Sequence, residues 1–109
     1  GEFKNLPVET VSHYTDYYSS SGHLYPIRLT GKSEEERNRF IDRMADLGVS
    51  TNVHYKPLPM HSGYKKLGFD IKNYPNAYGQ YKNVVTLPLH TKLSDDDIVY
   101  VSECVKKCL

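Results

Sequence analysis

Residues 49–68 read VSTNVHYKPLPMHSGYKKLG, and the rest of the chain is organised around them. The first seven of these residues alternate in the period-2 pattern of a strand, with β-branched and aromatic side chains on one face. The prolines of the KPLP run that follows cannot donate to a strand ladder. The pattern therefore predicts a strand over residues 49–55 that brings His54 and Tyr55 to its tip.

Polar, aromatic and cationic side chains crowd the loop beyond these prolines, where connections ordinarily carry small turn residues. They are His61, Tyr64, Lys65 and Lys66. One interpretation is a recognition edge for an anionic or sugar-bearing ligand, in which imidazole and phenol groups form hydrogen bonds and a ring stacks on the ligand. The other is a plain strand end, in which Tyr55 packs on the core and the histidines are solvated. The residues alone leave both open.

Length and charge narrow the class of protein. The chain has 109 residues, which suits one domain. Its 14 lysines and arginines against 13 aspartates and glutamates give a formal net charge of +1, which provides no general field for nucleic acid or an anionic membrane. No apolar run approaches the roughly 20 residues that span a bilayer, and no signal-peptide pattern opens the chain. The sequence predicts a soluble, cytoplasmic protein.

Two capped helices flank the opening stretch. The SEEE run at residues 33–36 has the spacing of a capping box, and it begins a helix predicted over residues 34–47 that Gly48 ends. Ser94 followed by three aspartates begins a second helix. The predicted inward residues of the first helix are Phe40, Ile41, Met44 and Leu47. Those of the second are Ile98, Val101, Val105 and Cys108.

Strand and turn signals complete the predicted fold. HLYPIRLT at residues 23–30 predicts a strand in which Pro26 indicates an edge or a bulge, and residues 84–89 predict another. Short helices are predicted over residues 63–67 and 75–81. Three strands with two long helices on one face make a two-layer α+β sandwich. If the strands on either side of the first helix run parallel, their crossover is right-handed.

The chain divides into an N-terminal arm or edge strand at residues 1–21 and a domain at residues 22–109. The boundary follows the SSSG run, which is typical of a turn or flexible connector. The first three residues are compatible with a cloning remnant and carry no weight.

The residues offer no complete catalytic or metal-binding set. Cys104 and Cys108 lie one helical turn apart, which favours reduced thiols on a helix over a redox motif. A metal site at His54 and His61 would need a third ligand such as His90, and the spacing matches no recognised pattern. The sequence also lacks a nucleophile elbow, a GxGxxG motif and a P-loop.

Several segments in a fixed order resemble the C-terminal part of the DegT-type sugar aminotransferase family. They are HLYPIRL, the helix with Arg37 near its start, GVSTNVHYKPLPMH, GYKKLGF, NVVTLPLH and TKLSDDDIVYVSECV. The resemblance spans residues 21–105. Its most specific piece is the TNVHYKPLPMH block with a tyrosine three residues later.

The resemblance implies a fold and an activity. Members of the family are pyridoxal-phosphate enzymes that move an amino group, usually from glutamate, onto a keto group of a nucleotide-linked sugar. This chain resembles their small C-terminal α+β domain, which has a mostly antiparallel sheet, in an enzyme expected to be a homodimer when intact. The lysine and the acid that hold pyridoxal phosphate belong to the family's large N-terminal domain. No cofactor is therefore expected in this chain, which alone is expected to be inactive.

The resemblance also implies a substrate-binding set. His54 and Tyr55 correspond to the family's His-Tyr pair near the nucleotide-sugar pocket, and Tyr64 matches a later aromatic that can line it. The remaining members of the predicted set are His61, Asn52 and Lys56. No catalytic residue is expected here.

A second hypothesis is a stand-alone small-ligand-binding or regulatory α+β domain. Such a module should be closed all round, whereas a domain taken from a larger enzyme should expose an apolar face that the large domain covers. The tyrosine-rich arm at residues 14–25 is expected to be part of that face.

Overall fold

The computed structural model describes residues 2–109, and within them the chain forms a three-stranded antiparallel sheet in the order β1-β2-β3 with four α-helices. The strands are β1 (Val8–Thr10), β2 (Tyr25–Leu29) and β3 (Val84–Leu87). The helices are α1 (Glu34–Asp46), α2 (Ser62–Lys66), α3 (Pro75–Tyr81) and α4 (Asp95–Cys108). Two 3-10 turns, Leu58–Met60 and Ile71–Asn73, flank α2. The predicted α+β class is confirmed. β1 lies in the N-terminal arm, and the division of the chain at residue 22 stays a prediction.

One apolar core lies between the sheet and the two long helices. Its fully buried members are Ile27, Leu29, Phe40, Met44, Val49, Val85, Leu87, Cys104, Val105 and Cys108. In β2 and β3 the core residues alternate along the strand, because successive strand side chains point to opposite faces. Ile27 pairs with Val85 and Tyr25 pairs with Leu87, which aligns the core faces of the two strands.

Both long helices begin with the predicted caps. In α1 the Ser33 hydroxyl accepts from the Glu36 backbone N–H at 3.2 Å, and the Glu36 carboxylate accepts from the Ser33 N–H at 2.9 Å. That backbone donor lowers the pKa of Glu36. Ser94 and Asp97 repeat the arrangement in α4. Gly48 follows α1 with φ +77°, a conformation that glycine adopts without a steric penalty.

The inward face of α4 differs from the prediction at its N-terminal end. Val105 and Cys108 are buried as expected, together with Ser102 and Cys104, but Ile98 is 49% exposed. Ile98 lines an open apolar cavity of about 240 Å³ near Phe3 and Leu89 instead of entering the core. Both cysteines are free thiols, as predicted.

The predicted strand over residues 49–55 is wrong, and so is the strand, helix, strand unit built on it. Only Asn52 pairs with β3, through one antiparallel bridge to Thr86. An antiparallel ladder would bond next at Ser50 with Pro88 and at His54 with Val84. Pro88 has no N–H, and the Val84 carbonyl accepts from Arg37 at 3.3 Å. The ladder would therefore lack one donor at Pro88 and meet a carbonyl at Val84 that Arg37 already uses.

Pro26 lies in β2, the central strand, so the prediction that it marks an edge strand or a bulge is wrong. The Leu29 N–H donates to the Asn83 carbonyl, and the Thr30 N–H donates to the Pro7 carbonyl. This alternation puts the nitrogen of Pro26 on the β1 side of β2, one pair beyond Thr10, where β1 has ended. No ladder bond is lost there.

Arg37 is the most deeply buried charged residue and connects α1 with the turn before β3. Its side chain is 1% exposed, and Nη1 donates to the Tyr81 carbonyl at 2.9 Å and to the Val84 carbonyl at 3.3 Å. The guanidinium also lies 4.8 Å from the centre of the Tyr81 ring. The Tyr81 hydroxyl donates to Glu34 at 2.9 Å, and burial together with this bond raises the pKa of Tyr81.

No helix within residues 2–109 combines the length and the apolar character that crossing a membrane would require.

Arg37→Leu should lower the free energy of unfolding by about 3 kcal/mol, because it leaves two buried carbonyls without their donor. Urea denaturation of the purified chain measures the change. The matched control is Arg39→Leu, which removes only an exposed ion pair to Glu35 at 3.0 Å and should cost less than about 0.5 kcal/mol. Equal losses in the two variants would contradict the role assigned to Arg37.

Candidate functional site

The candidate site lies on the extended segment that runs along the free edge of β3. The Asn52 N–H donates to the Thr86 carbonyl at 3.1 Å, and the Thr86 N–H donates to the Asn52 carbonyl at 2.7 Å. The Asn52 side-chain oxygen Oδ1 accepts from the Val53 N–H at 2.7 Å. This local bond turns the backbone immediately before His54.

His54 and Tyr55 lie together at this edge and differ in exposure. The His54 ring is half-buried, and its Nδ1 lies 3.0 Å from the Thr86 hydroxyl oxygen. The Tyr55 ring packs edge-on against it, with centroids 4.6 Å apart and planes at 79°. Tyr55 is 69% exposed, so the interpretation in which it packs on the core is wrong. The His54–Tyr55 peptide bond is cis.

Lys56 and His61 lie on the loop that follows. His61 Nε2 is 3.3 Å from the Lys56 carbonyl oxygen. Since a carbonyl only accepts, this ring nitrogen must carry the proton when the bond forms. This contact joins the two ends of the loop between Lys56 and His61. The Lys56 side chain is exposed.

Tyr64 belongs to a separate apolar groove of about 380 Å³. Its lining residues are Pro57, Leu58, Pro59, Tyr64, Phe69, Tyr74 and Ala77. The Tyr64 and Phe69 rings meet at 65° with centroids 5.9 Å apart. Four of the lining side chains, including Leu58 and Tyr74, are at least two-fifths exposed, so the groove is open to solvent.

The structure places four of the six predicted residues in two neighbourhoods, and Lys56 and His61 lie on the loop between them. Asn52, His54 and Tyr55 share the edge of β3, and no hydrogen bond or ring contact within residues 2–109 joins Tyr64 to them. Thr86 was absent from the predicted set although it contacts His54 directly. A threonine inside the apolar run VVTLPL was the signal that could have identified it.

Pyridoxal phosphate and a metal ion each require particular residues within reach to hold them. Pyridoxal phosphate needs a lysine for its aldehyde and an acid for its ring nitrogen. Every lysine, aspartate and glutamate within residues 2–109 is exposed or half-buried. No group of three potential metal ligands occurs in the same part of the chain.

Comparisons of the sequence and of the fold with known proteins point to the same family. The sequence model of the DegT/DnrJ/EryC1/StrS aminotransferase family matches residues 1–106. A Streptococcus pneumoniae protein assigned as a sugar aminotransferase is 48% identical, with a TM-score of 0.95 over 98% of this chain and 27% of its own. That protein is also known in forms with pyridoxal phosphate (PLP) and pyridoxamine phosphate (PMP).

Two curated relatives match at lower identity. A Campylobacter jejuni UDP-4-amino-4,6-dideoxy-N-acetyl-beta-L-altrosamine transaminase is 33% identical over 94% of this chain and 27% of its own length. The Bacillus subtilis spore coat polysaccharide biosynthesis protein SpsC is 31% identical over 95% of this chain and 28% of its own. The chain thus spans little more than a quarter of the curated relatives it matches.

Tyr55→Ala should leave the free energy of unfolding within about 1 kcal/mol of the wild-type value, because an exposed ring contributes little burial. Tyr81→Ala is the matched comparison and should cost about 3 kcal/mol, since Tyr81 is buried beside Arg37. Thermal or urea unfolding of both variants measures the difference. A loss at Tyr55 as large as that at Tyr81 would restore the packing interpretation.

Proposed function

The chain belongs to the DegT/DnrJ/EryC1/StrS aminotransferase family, and we propose that it forms the small C-terminal domain of a pyridoxal-phosphate-dependent aminotransferase that acts on a nucleotide-linked keto sugar. The observation that carries the proposal is the 48% identity to the pneumococcal protein across 98% of this chain. The name of the Campylobacter relative, which specifies a UDP-linked amino sugar, supports the substrate class.

An open apolar surface supports a domain of a larger enzyme over a stand-alone module. The Cα radius of gyration is 15.4 Å, against about 13 Å for a compact domain of this length. Tyr14, Tyr17 and Tyr18 are exposed on the arm, and the groove around Tyr64 is open as well. Surfaces of this kind on a soluble domain mark contacts with another body. The alternative of a closed regulatory domain is not favoured.

The proposed substrate wall consists of groups with complementary chemistry. The His54 ring leaves Nε2 free of hydrogen bonds within residues 2–109, and the exposed Tyr55 ring has a face on which a sugar or base can stack. Tyr64 adds a second aromatic surface, and Lys56 adds a positive charge suited to a diphosphate. Asn52 and His61 act through the backbone bonds that shape the segment.

The remaining components of the proposed enzyme lie outside this chain. The large domain would supply the lysine and the acid for pyridoxal phosphate, which when bound accepts and returns the amino group. We assign glutamate as amino donor and a homodimer as the active assembly, in keeping with the family.

A chimera tests the proposal. The matching C-terminal segment of the pneumococcal protein is replaced by this chain, and the conversion between the PLP and PMP forms is followed by absorbance. Glutamate should produce the PMP form, and a nucleotide-linked keto sugar that the unaltered pneumococcal protein accepts should return the PLP form. His54→Ala in the chimera should raise the KM for the sugar about tenfold while leaving the conversion by glutamate unchanged, because a lost hydrogen bond to substrate weakens binding by up to about that factor.

Asp42→Ala is the matched control, since Asp42 is exposed on α1. It should change neither conversion. A folded chimera that binds the cofactor but reacts with neither glutamate nor the sugar would contradict the proposed function. An equal effect of His54→Ala and Asp42→Ala on the sugar would contradict the substrate wall while leaving the family activity intact.

A further inference from the structure

Thr86 contacts the candidate site at three points, two on the Asn52 backbone and one on the His54 ring. Its backbone N–H and carbonyl form both hydrogen bonds of the bridge to Asn52, and its hydroxyl lies 3.0 Å from His54 Nδ1. Thr86 is 6% exposed and is part of β3, whose other residues, Val84, Val85 and Leu87, are apolar. One strand residue therefore fixes both the backbone before the histidine and the histidine ring.

The hydroxyl is the only feature of Thr86 that packing does not explain. Valine has nearly the same shape and suits a buried strand better, because it leaves no polar group to satisfy. Within residues 2–109 the Thr86 hydroxyl makes its side-chain hydrogen bond to His54 and to no other group. The hydroxyl is thus matched to the imidazole rather than to the core.

This contact selects one orientation of the ring. A half-turn about the Cβ–Cγ bond would replace Nδ1 by a carbon, and the buried hydroxyl would lose its partner. If the hydroxyl donates to a bare Nδ1, Nε2 carries the proton and donates at the open edge. If the hydroxyl accepts from Nδ1–H, the Nε2 of a neutral ring accepts there. In both cases Nε2 lies on the far side of the ring from Cβ and makes no hydrogen bond within residues 2–109, and the exposed Tyr55 ring packs edge-on against the imidazole.

We propose that Thr86 is a positioning residue for the sugar substrate, because its hydroxyl orients His54 and thereby presents Nε2 at the substrate wall. The identity of the ligand rests on the proposed function, and the contact itself is the observed 3.0 Å distance between the Thr86 hydroxyl and His54 Nδ1. Thr86 touches no reacting atom, and its effect passes entirely through His54.

Two variants separate orientation from packing. Thr86→Val removes the hydroxyl and keeps the volume, whereas Thr86→Ser keeps the hydroxyl and removes a methyl group. In the pneumococcal chimera, Thr86→Val should raise the KM for the sugar about three- to tenfold with kcat within about twofold, the range expected for one neutral hydrogen bond. Thr86→Ser should stay close to the wild-type KM, and the conversion by glutamate should be unchanged in both.

A second experiment uses spectroscopy and does not require an active enzyme. Nitrogen-15 NMR of the 109-residue chain at about pH 8.5, where neutral imidazole predominates in an ordinary histidine, reports which ring nitrogen of His54 carries the proton. Thr86→Val should shift the Nδ1 and Nε2 signals towards the averaged values of a freely exchanging ring, and Thr86→Ser should not.

The outcomes of the two arms are distinguishable. Unchanged His54 signals in Thr86→Val, or a displacement of those signals in Thr86→Ser as large as in Thr86→Val, would overturn the positioning role whatever the chimera does. An inactive chimera would count against the proposed function, and the NMR signals would then decide the role of Thr86 by themselves.

Discussion

The buried guanidinium of Arg37 is the interaction on which the other elements depend. A charge that is 1% exposed persists only where polar groups surround it, and here two carbonyls, the Tyr81 ring and the nearby Glu34 carboxylate do so. One carbonyl belongs to Tyr81, the last residue of α3, and the other to Val84, the first residue of β3. The contact therefore sets where β3 begins relative to α1, and every position along β3 follows from that start.

Elements with local determinants could be predicted from the sequence. The capping boxes at Ser33 and Ser94 and the left-handed glycine after α1 depend on residues three or four positions apart, and each is found where its pattern indicates. The segment before Lys56 shows the limit of such patterns. Its alternation is that of a strand, yet Pro88 and the Arg37 contact, both distant in sequence, leave it a single bridge.

The sequence indicated which residues belong to the candidate site better than it indicated how they are arranged in space. His54 and Tyr55 were expected at the tip of a strand and lie instead on an extended segment beside β3. Tyr64 faces a groove of its own, because the two prolines and the 3-10 turn lead the chain away before α2. Thr86 escaped detection because one hydroxyl in an apolar strand has no periodic signature. The family resemblance indicated the chemistry of the site, whereas the contact between Thr86 and the imidazole is visible only in the folded chain.

The single bridge beside β3 also bears on how the chain behaves when it is not covered by another domain. A free sheet edge is a template for pairing with a strand of a second molecule, which leads to aggregation. Along this edge Thr86 is already paired, Pro88 has no N–H to offer and the Val84 carbonyl is bonded to Arg37. An incoming strand finds no two consecutive positions at which to bond. The residues that limit pairing of the segment before Lys56 with β3 therefore also leave this edge of the sheet with few free groups for a strand of another molecule.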